Sequence, residues 1–473
     1  MLQTTRTTMA PVSELDSLQR TLNQALDALH DEMTMQSLPD LSSCSAQRHP
    51  MDEPSFLCSP RLYEARKLAL AAMGEIKALI QYPFEKVVEQ AGAVHDTACL
   101  DIFIKAGIVD LLAEPSALKN GVEILDMQKT LDMDATKLTV ILRVLSSQGW
   151  LHEPKEGTFK LARPALELTG NHGGRVWALN PGRPAMAQAL MAQLTHPEWK
   201  YSRRANQTAF QIAHGTDLVV FDWLKEHPDE AYIFSKTIQA VGDAYHIATA
   251  HDFPWKKFEG RTFVDCAGGR GNLSIFLSQV IPKSRFIVQD LPEVIITTRE
   301  NIATATPAAA QEGRITVEAV NLFDNQPRAG DDHIYLLRHT LHNWSDDACI
   351  TVLKNIASVM APASRIIILE VIMQPNTVHD DVAAAAGSIV TLDDLIGKDD
   401  YQPITPPAYI PANFGAAATT SLRLNIQMMA ILNAQERSLR EWNALITSAG
   451  LSIDEVYSFR GTISAIECKL DSQ

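Results

Sequence analysis

Apolar residues change their spacing along the chain at about residue 255. Before that point leucines and other apolar residues recur at helical intervals, first over residues 17–32 and again from Arg61 to about Leu112. This spacing gathers apolar side chains on one face and predicts amphipathic helices. After residue 255, short apolar runs alternate with helical patterns, which predicts strands and helices in turn. We therefore expect a helical first half and an α/β second half.

The second half contains five runs that predict strands, with helical patterns between them: RTFVDC, SRFIVQD, ITVEAVNLF, DDHIYLLRH and SRIIILEVIM. Strands that alternate with helices form a mostly parallel sheet. The last 35 or so residues predict one more helix and two strands that close the sheet as a hairpin. The expected domains are an N-terminal helix and linker over 1–60, a helical domain over 61–250, and an α/β domain over 251–473.

A winged-helix pattern lies within the helical half. It comprises a helix over 124–131, a turn at 132–134, a helix over 135–148 and two short strands, 151–153 and 158–161. Such a unit often binds DNA through its second helix. Here that helix is mostly apolar and carries only two cations, which favours a buried or dimer-forming helix.

Charge and cysteine content narrow the function classes. With 41 Lys and Arg against 56 Asp and Glu, the net charge of −15 argues against nucleic acid as a partner. The six cysteines form no C-x-x-C pair, so we expect a reducing compartment, the cytoplasm. The N-terminus lacks the apolar core of a signal peptide, and no run of 18 apolar residues predicts a membrane span.

One segment, residues 376–420, breaks the alternation with an AAAAG run, a proline-rich stretch and GAAATT. Long segments of this kind are uncommon unless they are functional or disordered. Three interpretations stay open: an insertion near the ligand site, a mobile lid, or plain disorder.

A glycine-rich turn, VDCAGGRG, follows the first predicted strand of the α/β half. Backbone amides at such a strand-to-helix turn can approach a bound ligand. Asp265 precedes the turn and would repel a pyrophosphate, so it suits a cationic cofactor such as S-adenosylmethionine. Asp290 lies 19 residues after Gly271, where a ribose-binding acid is expected. The alternative is a pair of ordinary aspartates in loops at strand ends.

A histidine follows the fourth predicted strand, within the sequence RHTLHNWSDD. Ligands of open α/β sheets bind at the carboxyl ends of strands, so His342 is placed to act as a general base. Glu370 ends the next strand and Glu436 lies in NAQERSLREW; either could orient the imidazole. The competing interpretations are a structural loop histidine, His339 as the base, and a helix-capping role for Glu436.

The aspartates Asp346 and Asp347 could suggest a metal, but a helix N-terminus attracts aspartate without any metal. We expect no metal site.

These motifs resemble the S-adenosylmethionine-dependent O-methyltransferases of the plant caffeic-acid type and their fungal secondary-metabolism relatives. The resemblance covers most of residues 85–470 and is carried by FVDCAGGRGN, QDLPEVI, LLRHTLHNWSDDAC, RIIILEVIMQP and LRLNIQMMAILNAQERSLREW. It implies a Rossmann-like class I methyltransferase domain behind an N-terminal helical winged-helix dimerisation domain. It also implies a homodimer that acts on a small molecule.

Residue by residue, the resemblance implies that His342 deprotonates a substrate hydroxyl between Glu370 and Glu436. It implies that the cofactor contacts these residues: Asp265, Gly268, Gly269, Gly271, Asp290, Leu291, Asn321, Leu322 and Arg338. Asp290 would bind the ribose hydroxyls, Leu291, Asn321 and Leu322 would lie near the adenine, and Arg338 would lie near the carboxylate end or the site floor.

Two departures from the family pattern keep a second function open. The turn reads Ala267-Gly268-Gly269-Arg270-Gly271 where the family usually has GGGTG, and Asn321 stands where an acid is common. The first hypothesis is an O-methyltransferase that acts on an aromatic or polyketide-like hydroxyl. The alternative is an enzyme of the same fold that has lost methyl transfer and catalyses dehydration or pericyclic ring formation.

Overall fold

The computed structural model describes residues 13–44, 47–179, 182–328, 330, 333–377 and 390–471. The chain forms two compact units. The first comprises Met1–Asp40, Cys58–Gln90 and Gln374–Thr420, and the second comprises Leu41–Leu57, Ala91–Met373 and Ser421–Gln473. These units group the chain differently from the three consecutive segments expected from the sequence.

Helices dominate the described chain up to residue 252, as the periodicity predicts. They are α1 Glu14–Met35, α2 Pro60–Ile80, α3 Pro83–Lys105, α4 Ile108–Leu112, α5 Pro115–Asn120, α6 Ile124–Leu131, α7 Ala135–Ser147, α8 Gly173–Ala178, α9 Arg183–Thr195, α10 Ala209–His214, α11 Val220–Glu226 and α12 Pro228–Asp252. 3-10 helices occur at Pro50–Asp52 and Arg163–Leu168.

The first unit contains the N-terminal helices and part of the segment that breaks the alternation. Apolar residues of α1 and α2 share one core with residues of 390–420: Leu18, Ala25, Ala65, Leu68, Leu392, Leu395, Ile404, Ile410 and Phe414. A hydrogen bond also joins these segments, since Tyr409 Oη lies 2.6 Å from Thr21 Oγ1. The 3-10 helices Asp393–Leu395 and Gly415–Ala418 lie in this stretch. Residues 390–420 are therefore ordered by packing, whereas 378–389 lie outside the described residues.

The winged-helix pattern gives a small sheet beside two helices in the second unit. Strands β1 Val122–Glu123, β2 Leu151–Lys155 and β3 Thr158–Leu161 are antiparallel in the order β1-β3-β2. Leu138, Leu142 and Leu145 of α7 are buried beside Phe159. The apolar face of the second helix is therefore used for packing within this unit.

A seven-stranded sheet forms the α/β part of the second unit, in the order β11-β12-β8-β7-β4-β5-β6. Its strands are β4 Thr262–Cys266, β5 Arg285–Asp290, β6 Ile315–Ala319, β7 His333–Arg338, β8 Arg365–Glu370, β11 Leu451–Ser458 and β12 Ser464–Leu470. Strands β4 to β8 are parallel, and β12 pairs antiparallel with both β8 and β11. The predicted closing hairpin is confirmed, with its second strand inside the sheet.

The remaining elements connect or flank these strands. They are α13 Asn272–Val280, α14 Pro292–Ala305, α15 Pro307–Gln311, α16 Asp346–Ala357, β9 Ile372–Met373, α17 Thr419–Leu432, β10 Arg437–Ser438 and α18 Leu439–Ser448, with 3-10 helices at Trp255–Phe258 and Leu341–Asn343. Apolar cores cover both faces of the sheet, one including Phe263, Phe286 and Leu336 and the other including Val264, Leu337 and Trp442.

This arrangement has one consequence for function: the carboxyl ends of β4, β5, β7 and β8 meet at one edge of the sheet, where ligands of such folds bind. Among the described helices, none combines the length and apolar character needed to cross a bilayer.

Candidate active site

The glycine-rich turn joins β4 to α13 at this edge. Ala267, Gly269 and Gly271 adopt left-handed backbone angles, with φ of 54°, 55° and 76°. A Cβ atom on Gly268 would lie 2.7 Å from Cγ of Asp265, so any larger residue at position 268 would force neighbouring side chains to shift. A Cβ atom on Gly269 would meet no heavy atom within 4 Å. The turn therefore leaves open space beside its backbone, as an approaching ligand requires.

Asp265 turns inward from the turn. Its side chain is buried, and Oδ2 accepts a hydrogen bond of 2.7 Å from Oγ of Ser274. Burial raises the pKa of Asp265, while Ser274 and the guanidinium of Arg338 oppose that rise. Ser274 occupies the position where a dinucleotide-binding turn carries a third glycine or alanine. Here the hydroxyl of Ser274 fixes the side chain of Asp265 by this hydrogen bond.

Asp290 ends β5 beside the turn. Its Oδ2 accepts the N–H of Gly269 at 2.8 Å, and its Oδ1 accepts the N–H of Leu291 at 2.7 Å. Each carboxylate oxygen keeps a second lone pair for a ligand hydroxyl. Burial raises the pKa of Asp290, and the two backbone N–H groups partly counter it. Leu291 is 38% exposed, so its side chain offers an apolar surface next to this carboxylate.

The other expected cofactor residues occupy two places. Asn321 follows β6 and accepts the N–H of Phe323 through Oδ1 at 3.0 Å, and the half-buried Leu322 packs against the sheet core. Arg338 ends β7, and its Nη2 would lie 3.3 Å from a Cβ atom on Gly242 of α12. Burial lowers the pKa of Arg338, whereas Asp265 and Asp243 favour its charged form.

His342 lies between two buried carboxylates. Its Nδ1 donates to Oε1 of Glu436 at 2.8 Å and lies 3.5 Å from Oε2 of Glu370. The His342 side chain is 12% exposed, and those of Glu370 and Glu436 are 0% and 2% exposed. Because Nδ1 is engaged, Nε2 is the nitrogen left for an exchangeable proton. The structure thus brings together the three residues that the sequence singles out from three distant segments.

Glu370 is fixed by the backbone that carries His342. Its Oε1 accepts the N–H groups of Thr340 at 2.8 Å and Leu341 at 2.9 Å, and that of His342 more weakly at 3.4 Å. These donors are the first N–H groups of a 3-10 helix, which have no partner within the helix. Its Oε2 is buried without a hydrogen-bond partner among the described residues.

Glu436 is fixed by the short strand that follows it. Its N–H donates to Oδ1 of Asn425 at 2.9 Å, and the next residue, Arg437, pairs with β9. The capping box of α18 is formed by Ser438 and Glu441 instead. The helix-capping interpretation of Glu436 is therefore wrong, and its side chain is free to hold His342.

The charges of this cluster are coupled. Burial disfavours the imidazolium of His342, but Glu370 and Glu436 outweigh burial and raise the pKa of His342 to about 9. Burial also raises the pKa of Glu370, against the lowering influence of His342. His339 behaves in the opposite way, since burial, the neighbouring His342 and Arg338 lower its pKa well below the usual value. His342 is therefore the basic imidazole of the pair, and His339 is neutral at physiological pH.

One buried arginine that the sequence analysis missed holds the loop of His342. Arg437 is 1% exposed and donates to the carbonyl oxygens of Leu341 at 3.1 Å and Trp344 at 2.7 Å. It also donates to Oδ1 of Asp346 at 2.8 Å. Asp346, a candidate metal ligand from the sequence, is thus an ion-pair partner in this structure. The one signal in the sequence that could have identified Arg437 is its position next to Glu436.

Helix α12 also contributes charged and polar side chains that the sequence analysis missed. Asp243 favours the charged form of Arg338, as Asp265 does. His246 stacks on Phe276 of α13, with ring centroids 4.8 Å apart. Burial and Arg338 lower the pKa of His246 to about 4, so it is neutral. Helical spacing in the sequence identifies the apolar face of α12. It does not show which polar residues of that helix lie near the end of a distant strand.

Three ligand atoms of His339, His342 and Glu370 lie within 4.8 Å of one another, close enough for a divalent ion. The proximity of these atoms does not by itself make a metal site, and the metal-free site stays a prediction. The hydrogen bond from His342 to Glu436 competes with any ion for Nδ1.

A glycine turn after β4, a carboxylate at the end of β5 and a histidine held by two carboxylates lie at one edge of the sheet, an arrangement typical of a methyltransferase-like α/β enzyme. A family profile described as an O-methyltransferase domain matches residues 198–400. The chain is 28% identical over 447 residues to O-methyltransferase gedA of Aspergillus terreus, covering 87% of each chain. It is 29% identical over 451 residues to O-methyltransferase tpcA of Aspergillus fumigatus, covering 88% and 89%. The chain is thus similar to O-methyltransferases over most of its length, and S-adenosylmethionine is its cofactor.

Solved structures share the fold. One titled as a pericyclic reaction enzyme has a TM-score of 0.66 at 19% identity and covers 96% of this chain and 100% of its own. The complex of LepI with SAM has a TM-score of 0.64 at 21% identity, covering 86% and 94%. These likenesses confirm the class I methyltransferase fold.

Proposed function

We propose that this enzyme methylates a hydroxyl of a small aromatic or polyketide-type secondary metabolite, with His342 as the general base. The observation that carries the proposal is the imidazole held by Glu436 and Glu370 at the sheet edge that also bears the glycine turn. A ring with one nitrogen engaged by a carboxylate has a fixed orientation and a stabilised protonated form.

The cofactor residues fit this proposal. Gly268 and Gly269 let the backbone approach the ligand, Asp290 keeps lone pairs for the ribose hydroxyls, and Leu291 offers an apolar surface for the adenine. Asp265 places a negative charge near the sulfonium end of the cofactor, and Arg338 forms the floor of the site. Asn321 and Leu322 complete the adenine side. When bound, S-adenosylmethionine supplies an electrophilic methyl group.

The basicity of His342 suits a phenolic acceptor. A phenol has a pKa near 10, and the pKa of His342 is about 9, so proton transfer between them is close to balanced. The resting protein carries this imidazole as a cation at neutral pH. It becomes a base by losing that proton, and any cation bound nearby favours the loss because it disfavours the imidazolium.

Methyl transfer from a labelled donor to a panel of phenols tests the proposal. The His342→Gln variant should lose at least about 100-fold in rate, the usual scale of general base catalysis. His251→Ala, at an exposed position on α12, is the matched control and should retain activity. Transfer that survives in His342→Gln would rule out this base.

A second candidate is a dehydration or pericyclic ring closure. Two observations favour it: the likeness to a pericyclic reaction enzyme, and Ala267 where the family turn has glycine. Its signature is a product isomeric with the substrate, or lighter by one water, formed without consumption of the methyl donor. Mass analysis of the same assays separates the two candidates.

We further propose a homodimer that uses the helical part of the chain. Apolar residues at the α2–α3 junction are unusually exposed, Tyr82 by 72% and Phe84 by 77%, with Val87 at 64%. Exposed apolar patches commonly mark protein contacts. Sedimentation of the wild type and of Phe84→Lys should show a dimer that the substitution weakens; an unchanged monomer in both would refute it.

The cytoplasm is the proposed location, supported by a sequence whose six cysteines form no C-x-x-C pair. Imaging of a fluorescent fusion tests it.

A further inference from the structure

A small cavity lies in the helical part of the second unit, apart from the residues assigned above. Its volume is about 40 Å³, and its walls come from α9, α10, α11, α12 and α17. Apolar side chains dominate, including Met186, Phe210, Trp223 and Ile431. Phe210 and Trp223 meet edge to face, with centroids 5.4 Å apart. Such a wall suits a flat apolar molecule, yet a cationic group interrupts it.

That group is the guanidinium of Arg183, at the start of α9. Its Nη1 donates to the carbonyl oxygen of Trp177 at 2.8 Å, and the guanidinium carbon lies 4.2 Å from the centroid of the Trp177 ring. Its Nε and Nη2 are buried without a hydrogen-bond partner among the described residues. Leaving charged donors buried and unpaired is costly, so a native protein tends to do so where a ligand will pair them.

The two unpaired nitrogens share one edge of the guanidinium. Nε and Nη2 point their N–H groups in parallel, and this edge binds the two oxygens of a carboxylate together. An alcohol or a ketone offers both donors a single uncharged oxygen, so it pairs them less well and leaves the positive charge uncompensated. The geometry therefore discriminates between an acid and a neutral oxygen group.

The cavity and the proposed base are linked through α17. Ile431 on its last turn lines the cavity, and Glu436, which holds His342, follows five residues later. Five residues span at most about 18 Å between Cα atoms. This value is the upper limit on the Cα separation between the cavity wall at Ile431 and the residue that holds His342. The flexible side chain of Met186 can adjust to a bound ligand.

We propose that Arg183 binds a carboxylate of the acceptor substrate, so that this enzyme prefers aromatic acids over their neutral analogues. The proposal rests on the proposed function for the identity of the acceptor, but carboxylate binding itself does not depend on methyl transfer. One wall residue opposes carboxylate binding, because Glu230 also lines the cavity. The negative charge of Glu230 should lower the affinity of the cavity for a carboxylate.

Two variants with opposite expected effects test the proposal by calorimetry of the whole protein with benzoate and benzamide. Arg183→Gln should weaken benzoate roughly 10- to 100-fold, the loss of a charged hydrogen-bond pair, and leave benzamide unchanged. Glu230→Gln should strengthen benzoate and leave benzamide unchanged. Equal binding of benzoate and benzamide by the wild type, or equal losses for both in Arg183→Gln, overturns the proposal.

Methyl transfer adds a second comparison, with hydroxybenzoate and hydroxybenzamide as acceptors. In Arg183→Gln the KM should rise for the acid alone while kcat changes little, because the cavity binds but does not react. Binding of S-adenosylmethionine, measured in parallel, should be unchanged and so excludes misfolding. If benzoate binds as expected but neither acceptor is methylated, the proposed function fails and the carboxylate site stands.

Discussion

If His342 is the general base, its hydrogen bond to Glu436 should set the pH dependence of the reaction. The substitution Glu436→Gln removes the charge of Glu436 while keeping the shape of its side chain. Nδ1 of His342 lies 2.8 Å from Oε1 of Glu436, and Glu370 remains 3.5 Å away in the variant. Loss of one carboxylate must lower the pKa of His342, because both carboxylates favour the imidazolium.

The magnitude follows from the strength of one charge-assisted hydrogen bond. Such a bond contributes about 1.5–3 kcal/mol, which corresponds to about 1–2 pKa units at 1.36 kcal/mol each. The pKa of His342 should therefore fall from about 9 to roughly 7–8. The introduced amide can also donate to Nδ1, which moves the ring proton to Nε2, the nitrogen that must accept the proton from the substrate. The alkaline plateau of the rate should fall about 10- to 100-fold.

The assay is the pH dependence of kcat/KM for a phenolic acceptor, which reports groups of the free enzyme. The wild-type rate should rise with pH to a plateau above about pH 9, since only the neutral imidazole is a base. The variant's midpoint should lie lower and its plateau should be reduced. Glu441→Gln, in the capping box of α18, is the matched control and should leave the midpoint in place. A midpoint that stays at pH 9 or moves upward in Glu436→Gln would refute the reasoning.

Three further predictions concern the turn, the loop clamp and the metal-sized cluster. Ala267→Gly should raise the free energy of unfolding by about 0.5–1 kcal/mol in urea titrations, because φ of 54° strains an alanine; a decrease contradicts this. Arg437→Met should lower the free energy of unfolding by about 2–4 kcal/mol, because the carbonyl oxygens of Leu341 and Trp344 lose a buried donor. A decrease of less than about 0.5 kcal/mol would contradict a stabilising role for these hydrogen bonds. Dialysis against a strong chelator should leave methyl transfer unchanged, and Zn²⁺ added back should inhibit it by competing for His342; activity lost with the chelator and restored by metal would contradict the proposed base.

The sequence determined the local elements and the edge at which the chemistry lies. Helices over 124–131 and 135–147 follow the apolar spacing closely, because a helix face is set by residues three and four apart. The strands before Asp290 and His342 are short apolar runs, and a parallel sheet aligns their carboxyl ends whatever the details of packing. The family resemblance was sufficient to name the three residues of the cluster.

Only the tertiary structure decided how these groups act. The role of Arg437 depends on a short strand pairing with β9, and the order in residues 390–420 depends on a core shared with α1 and α2, more than 300 residues away in the chain. The basicity of His342 arises from two carboxylates that are 28 and 94 residues away in the chain. Local patterns encode neither long-range contacts nor burial, and the charge of a buried group is set by what surrounds it in space.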